Sequence, residues 1–461
     1  MPEEPIPALY KDPKRINASP TKEFFIYMIT RDIPLTRAIL DLVDNSVDGG
    51  RRIRSNGDFS GFWVRVELDG KHFKIADNCG GIPVDIARNY AFRFGRPKDA
   101  PLTPGSVGQF GVGMKRTFFK LGKHFTVHSA TSTSRFDMAI DVTQWKLMEQ
   151  DGKADEWHFE FQNVEENIAN VPANEIGTRI EITQLYDSVS ESFSLESFET
   201  QLKQEMSIAH TQSMDRGLAI SVNAIPLGHE PAKLFVSDKL KPAFVERSYS
   251  SELLVGRSGP PVNVKLLAGI AERSYHDGGW YIFCNGRLVI RADQTTTTIW
   301  GSAHNMRQYH PEVAYFRGYV YFDSDDASLL PWTTTKTGVD IDSPIYRNVQ
   351  QEMIEISKPV LLFLSNLEKE RVAVESGDTL DQPLNQAITS AKAERIDVLS
   401  ATPTFIAPRP EPIPAGPRMQ RIQYSKPASE VEKAMRLLKV GSFKAVGEKT
   451  FDYFMKYEGE E

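Results

Sequence analysis

Between Leu35 and Val47 the apolar residues Leu35, Ile39, Leu42, Val43 and Val47 return at helical spacing, while Asp41, Asp44, Asn45 and Asp48 form a second, polar stripe. Farther on, WVRVEL (63–68) and KHFKIAD (71–77) alternate with period two on either side of Asp69-Gly70, which predicts a β-hairpin ending at Asp77. MKRTFFKLG (114–122) opens as an amphipathic helix, directly behind the glycines of GQFGVG (108–113). GTRIEIT (177–183) alternates again as a strand. WYIFCNGRLVI (280–290) is a strand candidate with an Asn-Gly turn inside it, and FRGYVYFD (316–323) leads to a threonine-rich loop holding Lys336. A helix is expected through EMIEISKPVLLFLSNLEKERV (352–372). Val431, Met435 and Leu438, then Val446, Phe451 and Phe454, mark two short amphipathic helices near the carboxy end.

Some polar positions within this pattern carry candidate chemistry. Asp41 and Asn45 stand four apart and share a helix face, where a carboxylate can poise a water and an amide oxygen can bind Mg²⁺. Asp77, at a strand end, can accept a hydrogen bond from an exocyclic amine such as adenine's. Gly80 and Gly81 before Ile82 let backbone approach a base closely. Gly108-Gln109-Phe110-Gly111-Val112-Gly113 fits Gly-x-x-Gly-x-Gly and runs through Met114 into a helix, whose first amides favour phosphate, with Lys115 beside them. Each piece alone has a plainer structural explanation: a solvated helix face, a capped turn, an exposed lysine. In this order the three describe one ATP pocket.

The combination resembles the GHKL ATPases, the superfamily of gyrase, heat-shock chaperone, mismatch-repair MutL and MORC ATPases. By that resemblance Asn45 is the metal-binding asparagine, Asp77 the adenine-reading aspartate, and Gly108, Gly111 and Gly113 the lid glycines. Gly177-Thr178 looks like the fourth family motif, whose threonine supports the adenine-binding aspartate. The resemblance also implies nucleotide contacts from Asp48, Gly81, Ile82, Gln109, Phe110, Val112, Met114 and Lys115. Two departures stand out. The family's general base is a glutamate, replaced here by Asp41, one methylene shorter, which makes slow hydrolysis an expectation. Cys79 sits where the family has the first glycine of Asp-x-Gly-x-Gly.

Asn285-Gly286-Arg287 and the loop of Lys336 are similar to the transducer domain of the GHL branch, in which a loop lysine reaches the γ-phosphate. That role is implied here for Lys336, with Asp41 and Lys336 as the catalytic pair. GQFGVGMK resembles MORC proteins and their prokaryotic relatives, and the Asn-Gly-Arg strand resembles MutL.

The implied fold class is α+β: a Bergerat-type two-layer α/β sandwich ATPase domain, an α/β transducer domain and a short helical carboxy-terminal tail. The expected organisation is an amino-terminal arm (1–20), ATPase domain (21–190), bridge (191–239), transducer (240–372), linker (373–428) and tail (429–461). A length of 461 residues allows two or three cores. The linker is densest in proline over 401–428.

Charge adds limits: 54 Lys and Arg against 61 Asp and Glu give −7, which argues against a wholly cationic nucleic-acid coat. Two cysteines in different expected domains argue against a disulfide framework and suit a reducing cytoplasm. No stretch reaches transmembrane length, so no membrane partner is expected. Among the nine histidines one His-x-x-x-His spacing occurs, at His124 and His128, and no Cys-x-x-Cys accompanies it, so Mg²⁺ is expected to arrive with ATP.

The resemblance implies an ATP-hydrolysing homodimer, gated as a clamp by nucleotide, with DNA as its track and phage defence as its setting. The alternative is a nucleotide-sensing scaffold that binds ATP without appreciable hydrolysis and recruits an effector protein through its carboxy-terminal helices. A chaperone-like clamp on protein clients is a third reading.

Overall fold

The computed structural model describes residues 20–95, 97, 104–108, 111–148, 157–376, 381–410 and 422–459. The expected arm (1–20) lies outside them except for its last residue, as do Gln109, Phe110, residues 96 and 98–103 of the segment leading to the lid glycines, and residues 411–421 of the linker.

The chain opens with α1 (Lys22–Thr30) and α2 (Leu35–Ile53), followed by the hairpin of β1 (Trp63–Leu68) and β2 (Phe73–Asp77). Their register pairs Val64 with Asp77 and Leu68 with Phe73. After the helix Gly113–Leu121 come β3 (Gly122–Ala130), β4 (Ser134–Asp141), β5 (Asn163–Glu166) and β6 (Gly177–Leu185). With β7 (Ala219–Val222) and β8 (Ile225–Pro226) they form an eight-stranded sheet in the order β5-β4-β3-β6-β2-β1-β7-β8. Every pairing is antiparallel except β1 with β7.

One core lies between this sheet and the helices. The apolar stripe of α2, with Ile39, Val43 and Val47 almost fully buried, packs with Phe118 and with Val64, Ile75 and Val127 of the strands. Burying each such side chain contributes about 1.5–3 kcal/mol, which fixes α2 against the sheet and decides which of its residues face outward. Leu202 and Met206, on the helix Glu196–Ala209, and Ile220 of β7 belong to the same core. The first part of the segment 191–239 is therefore built into this first layer pair.

The remainder of that segment holds β9 (Lys233–Val236). The second sheet comprises β10 (Ala243–Tyr249), β11 (Val262–Ile270), β12 (Gly279–Cys284), β13 (Arg287–Asp293) and β14 (Phe316–Asp323), ordered β10-β11-β14-β12-β13. WYIFCNGRLVI is thus two antiparallel strands closed at Asn285-Gly286, where φ of +45° at Asn285 and +74° at Gly286 makes the tight turn. The long helix Pro344–Ser376 covers one face through Val349, Met353 and Val360. On the other face Leu267, Tyr319 and Tyr321 pack against Leu234 of β9.

Within the expected linker, Pro383–Thr389 is helical and β15 (Lys392–Arg395) pairs with β9. Leu384, Ala387 and Phe405 are buried, and Leu384 and Phe405 join the core of the second domain. The tail forms two helices, Ala428–Leu438 and Phe443–Glu458, of which only Val446 is buried. No helix among the described residues is long and apolar enough to cross a membrane. Both cysteines are free and buried. The fold is a mixed α/β protein with a two-layer first domain, a further α/β domain and a helical tail, the class expected from the sequence.

Candidate functional site

A cavity of about 440 Å³ opens between α2, the end of β2, the helix Gly113–Leu121 and the loop of Lys336. Asp41, Asn45, Asp48, Asp77, Thr178 and Lys336 all line it, and so do Gly81, Ile82, Gly108, Gly111, Val112, Gly113, Met114 and Lys115. Thus every site residue expected from the sequence borders one space, apart from Gln109 and Phe110, which lie outside the described residues.

At one end, β2 stops at Asp77 and presents its carboxylate between α2 and β6. Oδ2 accepts from Ser46 Oγ at 2.8 Å, and Oδ1 accepts from the backbone amides of Cys79 at 2.8 Å and Thr178 at 3.3 Å. Thr178 therefore supports Asp77 through its amide, while its hydroxyl lies 3.0 Å from Ser129 Oγ, which in turn accepts from Ile82 N at 2.8 Å. Enclosure pushes the Asp77 carboxyl above its ordinary value, and the three hydrogen bonds oppose that shift. Gly81 has φ of +69°, and a Cβ there would lie 2.0 Å from the carbonyl oxygen of Ala130, so no larger residue fits this wall.

In the middle, Asn45 is exposed to the cavity and its side-chain amide has no hydrogen-bond partner among the described residues. Asp48 is buried and turned toward the segment before the glycine loop, accepting from Val107 N at 2.6 Å and Gly108 N at 2.8 Å. Burial raises its carboxyl despite those bonds. Asp48 thus anchors the loop by its backbone. Arg51, one turn later, donates to the carbonyls of Gly105 and, at 2.6 Å, of Asn285 in the second domain.

At the far end the charged groups concentrate. Asp41 Oδ2 accepts from Arg116 Nη2, and its Oδ1 accepts from Lys336 Nζ at 3.2 Å. Gly113 leaves room for that carboxylate: a Cβ there would meet Asp41 Cγ at 3.2 Å. Lys336 sits at a turn with φ of +54° and also donates to Asp44 Oδ2 at 2.7 Å. Burial works to lower the Lys336 ammonium, but Asp44 and Asp41 more than offset it and hold its pKa above the ordinary range.

Asp44 corrects one reading of the polar stripe. It does not face solvent or ligand; it is fully buried at the junction of the two domains, beside Arg287 Nε (3.4 Å) and His210 Nε2 (3.5 Å). Burial alone would raise its carboxyl, yet Arg287 and Lys336 bring it down to about 2. His210 is driven down to about 3, first by burial and then by Arg287, and is neutral; its Nε2 accepts from Arg287 Nη1 at 3.1 Å. The neighbouring Asn285 donates through Nδ2 to Ser106 O at 2.8 Å, so the Asn-Gly-Arg turn touches both α2 and the loop before the lid glycines.

Lys115 also differs from its sequence reading. It is buried, and Nζ donates to Ala91 O at 2.8 Å and to Gly111 O, binding the lid's backbone together at the cavity wall. Burial brings it down to about 7.

Arg116, His210 and Ser46 are not singled out by the sequence, and Asp44 enters there only as a member of the polar stripe. Arg116 follows a lysine that drew the attention, and the partners of Asp44 lie far away along the chain. Arg287 was noted only as part of a motif.

These residues fit ATP with Mg²⁺. The unpaired amide of Asn45 faces the cavity, Asp77 ends in oxygens that retain acceptor capacity, and glycine-lined walls stand at positions where a Cβ would intrude. No curated protein matches the chain. Residues 33–178 match the family model described as histidine kinase-, DNA gyrase B- and HSP90-like ATPase, so this segment is similar to the GHKL ATPases.

Proposed function

We propose that the chain binds ATP in this cavity and hydrolyses it, with adenine at Asp77, the triphosphate along the Gly108–Gly113 loop, and Asp41 as the base for the attacking water. The observation that carries the reading is the meeting of Asp77, Asn45, Asp41 and Lys336 around one space, although Lys336 belongs to the second domain. Asn45 would hold Mg²⁺, which when bound neutralises phosphate charge. Asp77 orients the base through a carboxylate fixed by Ser46, Cys79 N and Thr178 N. Lys336 supplies a fixed positive charge for the charge that grows on the transferred phosphoryl group.

The same lysine links nucleotide to domain arrangement, because a phosphate that draws Lys336 away from Asp44 alters the contact between α2 and the second domain. ATP can shift such an equilibrium only by binding the two arrangements differently, and Lys336 provides the difference. The resemblance extends the proposal to a homodimer that closes as a clamp, with DNA as its track in a MORC- or MutL-like defence setting. Exposed Phe24, Tyr27 and Met28 on α1 are consistent with a contact face beside the amino-terminal arm.

A second reading is favoured by one observation: both oxygens of Asp41 are engaged by cations. A chain in which ATP binds but Asp41 stays engaged would be a nucleotide-sensing scaffold. Leu437, Phe443 and Phe454 of the tail, all exposed, would then recruit an effector. Phosphate release from Mg-ATP, measured with ATP binding on the same preparation, separates the two readings: turnover above the Asp41→Asn variant supports hydrolysis, and binding without turnover supports the scaffold.

A further inference from the structure

Lys115 is spent on the carbonyls of Ala91 and Gly111. The cation of the lid helix that faces the acids of the cavity is its neighbour, Arg116. Its side chain is 12% exposed, borders the cavity with Gly111 and Gly113, and places Nη2 on Asp41 Oδ2. Its Nε is buried with no hydrogen-bond partner among the described residues. A guanidinium is a planar fork of five donors suited to an acceptor that offers several oxygens at once; a monodentate carboxylate contact with one donor orphaned leaves that capacity unfilled.

We infer that Arg116 is a binding residue for the terminal phosphate of ATP, and that it reaches the phosphate by exchanging Asp41 for it. The inference rests on the reading of the cavity as an ATP site. The exchange follows from competition at close range. Asp41 engages Arg116 through Oδ2 and Lys336 through Oδ1, so each of its oxygens is held by a cation. A terminal phosphate carries more charge and more acceptor oxygens than a carboxylate, and it satisfies the fork, Nε included. Once Arg116 turns to phosphate, Oδ2 of Asp41 is released to accept from water. ADP lacks the group that draws Arg116 away, so the pair persists with it. The base would thus be released by the substrate that needs it, and the site would tell ATP from ADP through Arg116 as well as Lys336.

Equilibrium titration of the full chain with ATP and with ADP, both with Mg²⁺, tests this in wild type, Arg116→Gln, Asp41→Asn and the double variant. Arg116→Gln is expected to weaken ATP by about ten-fold and leave ADP within about two-fold. Asp41→Asn is expected to tighten ATP several-fold relative to ADP, by freeing the fork. That gain should shrink when Arg116 is already Gln, because relief of simple charge repulsion between Asp41 and phosphate would survive in the double variant and release of Arg116 would not. Equal weakening of ATP and ADP by Arg116→Gln, or an Asp41→Asn gain of undiminished size in the double variant, overturns the inference while leaving the nucleotide site standing. Should Arg116→Gln fail to fold, Asp41→Asn alone still decides: no tightening of ATP over ADP overturns the inference. A wild type that binds neither nucleotide overturns both the inference and the site.

Discussion

Lys336 Nζ lies 2.7 Å from Asp44 Oδ2, joining the second domain to α2 across 292 positions of sequence. Both groups are almost wholly buried, and Asp44 has Arg287 and His210 as its remaining charged or polar neighbours. Removing one partner of a buried pair leaves the other's charge uncompensated. Lys336→Met is therefore expected to lower stability by about 3 kcal/mol, seen as a lower thermal midpoint. It should also cut ATP turnover by at least about ten-fold, since a fixed cation at a transferring phosphate is worth that much or more.

Asp77→Asn tests the adenine end. The amide keeps the size of the side chain but replaces one acceptor oxygen with a donor, in a setting that already presents Cys79 N and Thr178 N as donors. ATP affinity is expected to fall about 10- to 100-fold, corresponding to about 1.5–3 kcal/mol for a hydrogen bond to a charged group. Fluorescent-nucleotide titration measures it. Unchanged affinity would remove Asp77 from the site.

Gly81→Ala addresses the wall behind it. Its Cβ would meet the Ala130 carbonyl oxygen at 2.0 Å in a backbone conformation of φ +69°. The expected cost is about 2 kcal/mol or more, together with weakened ATP binding as the wall shifts. Unfolding by urea and nucleotide titration on the same sample read the two effects.

His210 predicts a pH dependence. Its folded-state value, about 3, lies below the ordinary 6.5 because burial and Arg287 disfavour the charged form. Between these values the unfolded chain binds the proton and the folded chain does not, so stability falls as pH drops through that window. The contribution at pH 5 relative to neutral is roughly 2 kcal/mol. His210→Gln keeps an acceptor for Arg287 and removes the titration. Its unfolding free energy should therefore change less between pH 7 and pH 5 than that of the wild type. Identical slopes would contradict a buried neutral histidine.

Alternation around Asp69-Gly70 was enough to find β1 and β2 and to end the second at Asp77, because a half-buried hairpin writes its period into the sequence. The apolar stripe of α2 was legible for the same reason. The stretch 191–227 was harder: the sequence places it in a bridge, and nothing local reveals that β7 pairs in parallel with β1. The gathering of candidate site residues followed motif order, whereas the charge cluster did not. Asp44 shares a period with Asp41, Asn45 and Asp48, and only the approach of Arg287, His210 and Lys336 gives it a separate environment. Lys115 and Arg116 are adjacent on one helix, and packing decides which points at carbonyls and which at Asp41. Such contacts join residues distant in sequence and leave no local pattern.

The most direct test of the account is Mg-ATP turnover by the purified chain beside Asp41→Asn, with a titration showing that both bind nucleotide. The account predicts phosphate release by the wild type and its loss, by about 100-fold or more, in the variant with binding retained. Equal release by the two proteins, or ATP binding by the wild type without release above the variant, would contradict Asp41 as the base of a working ATPase.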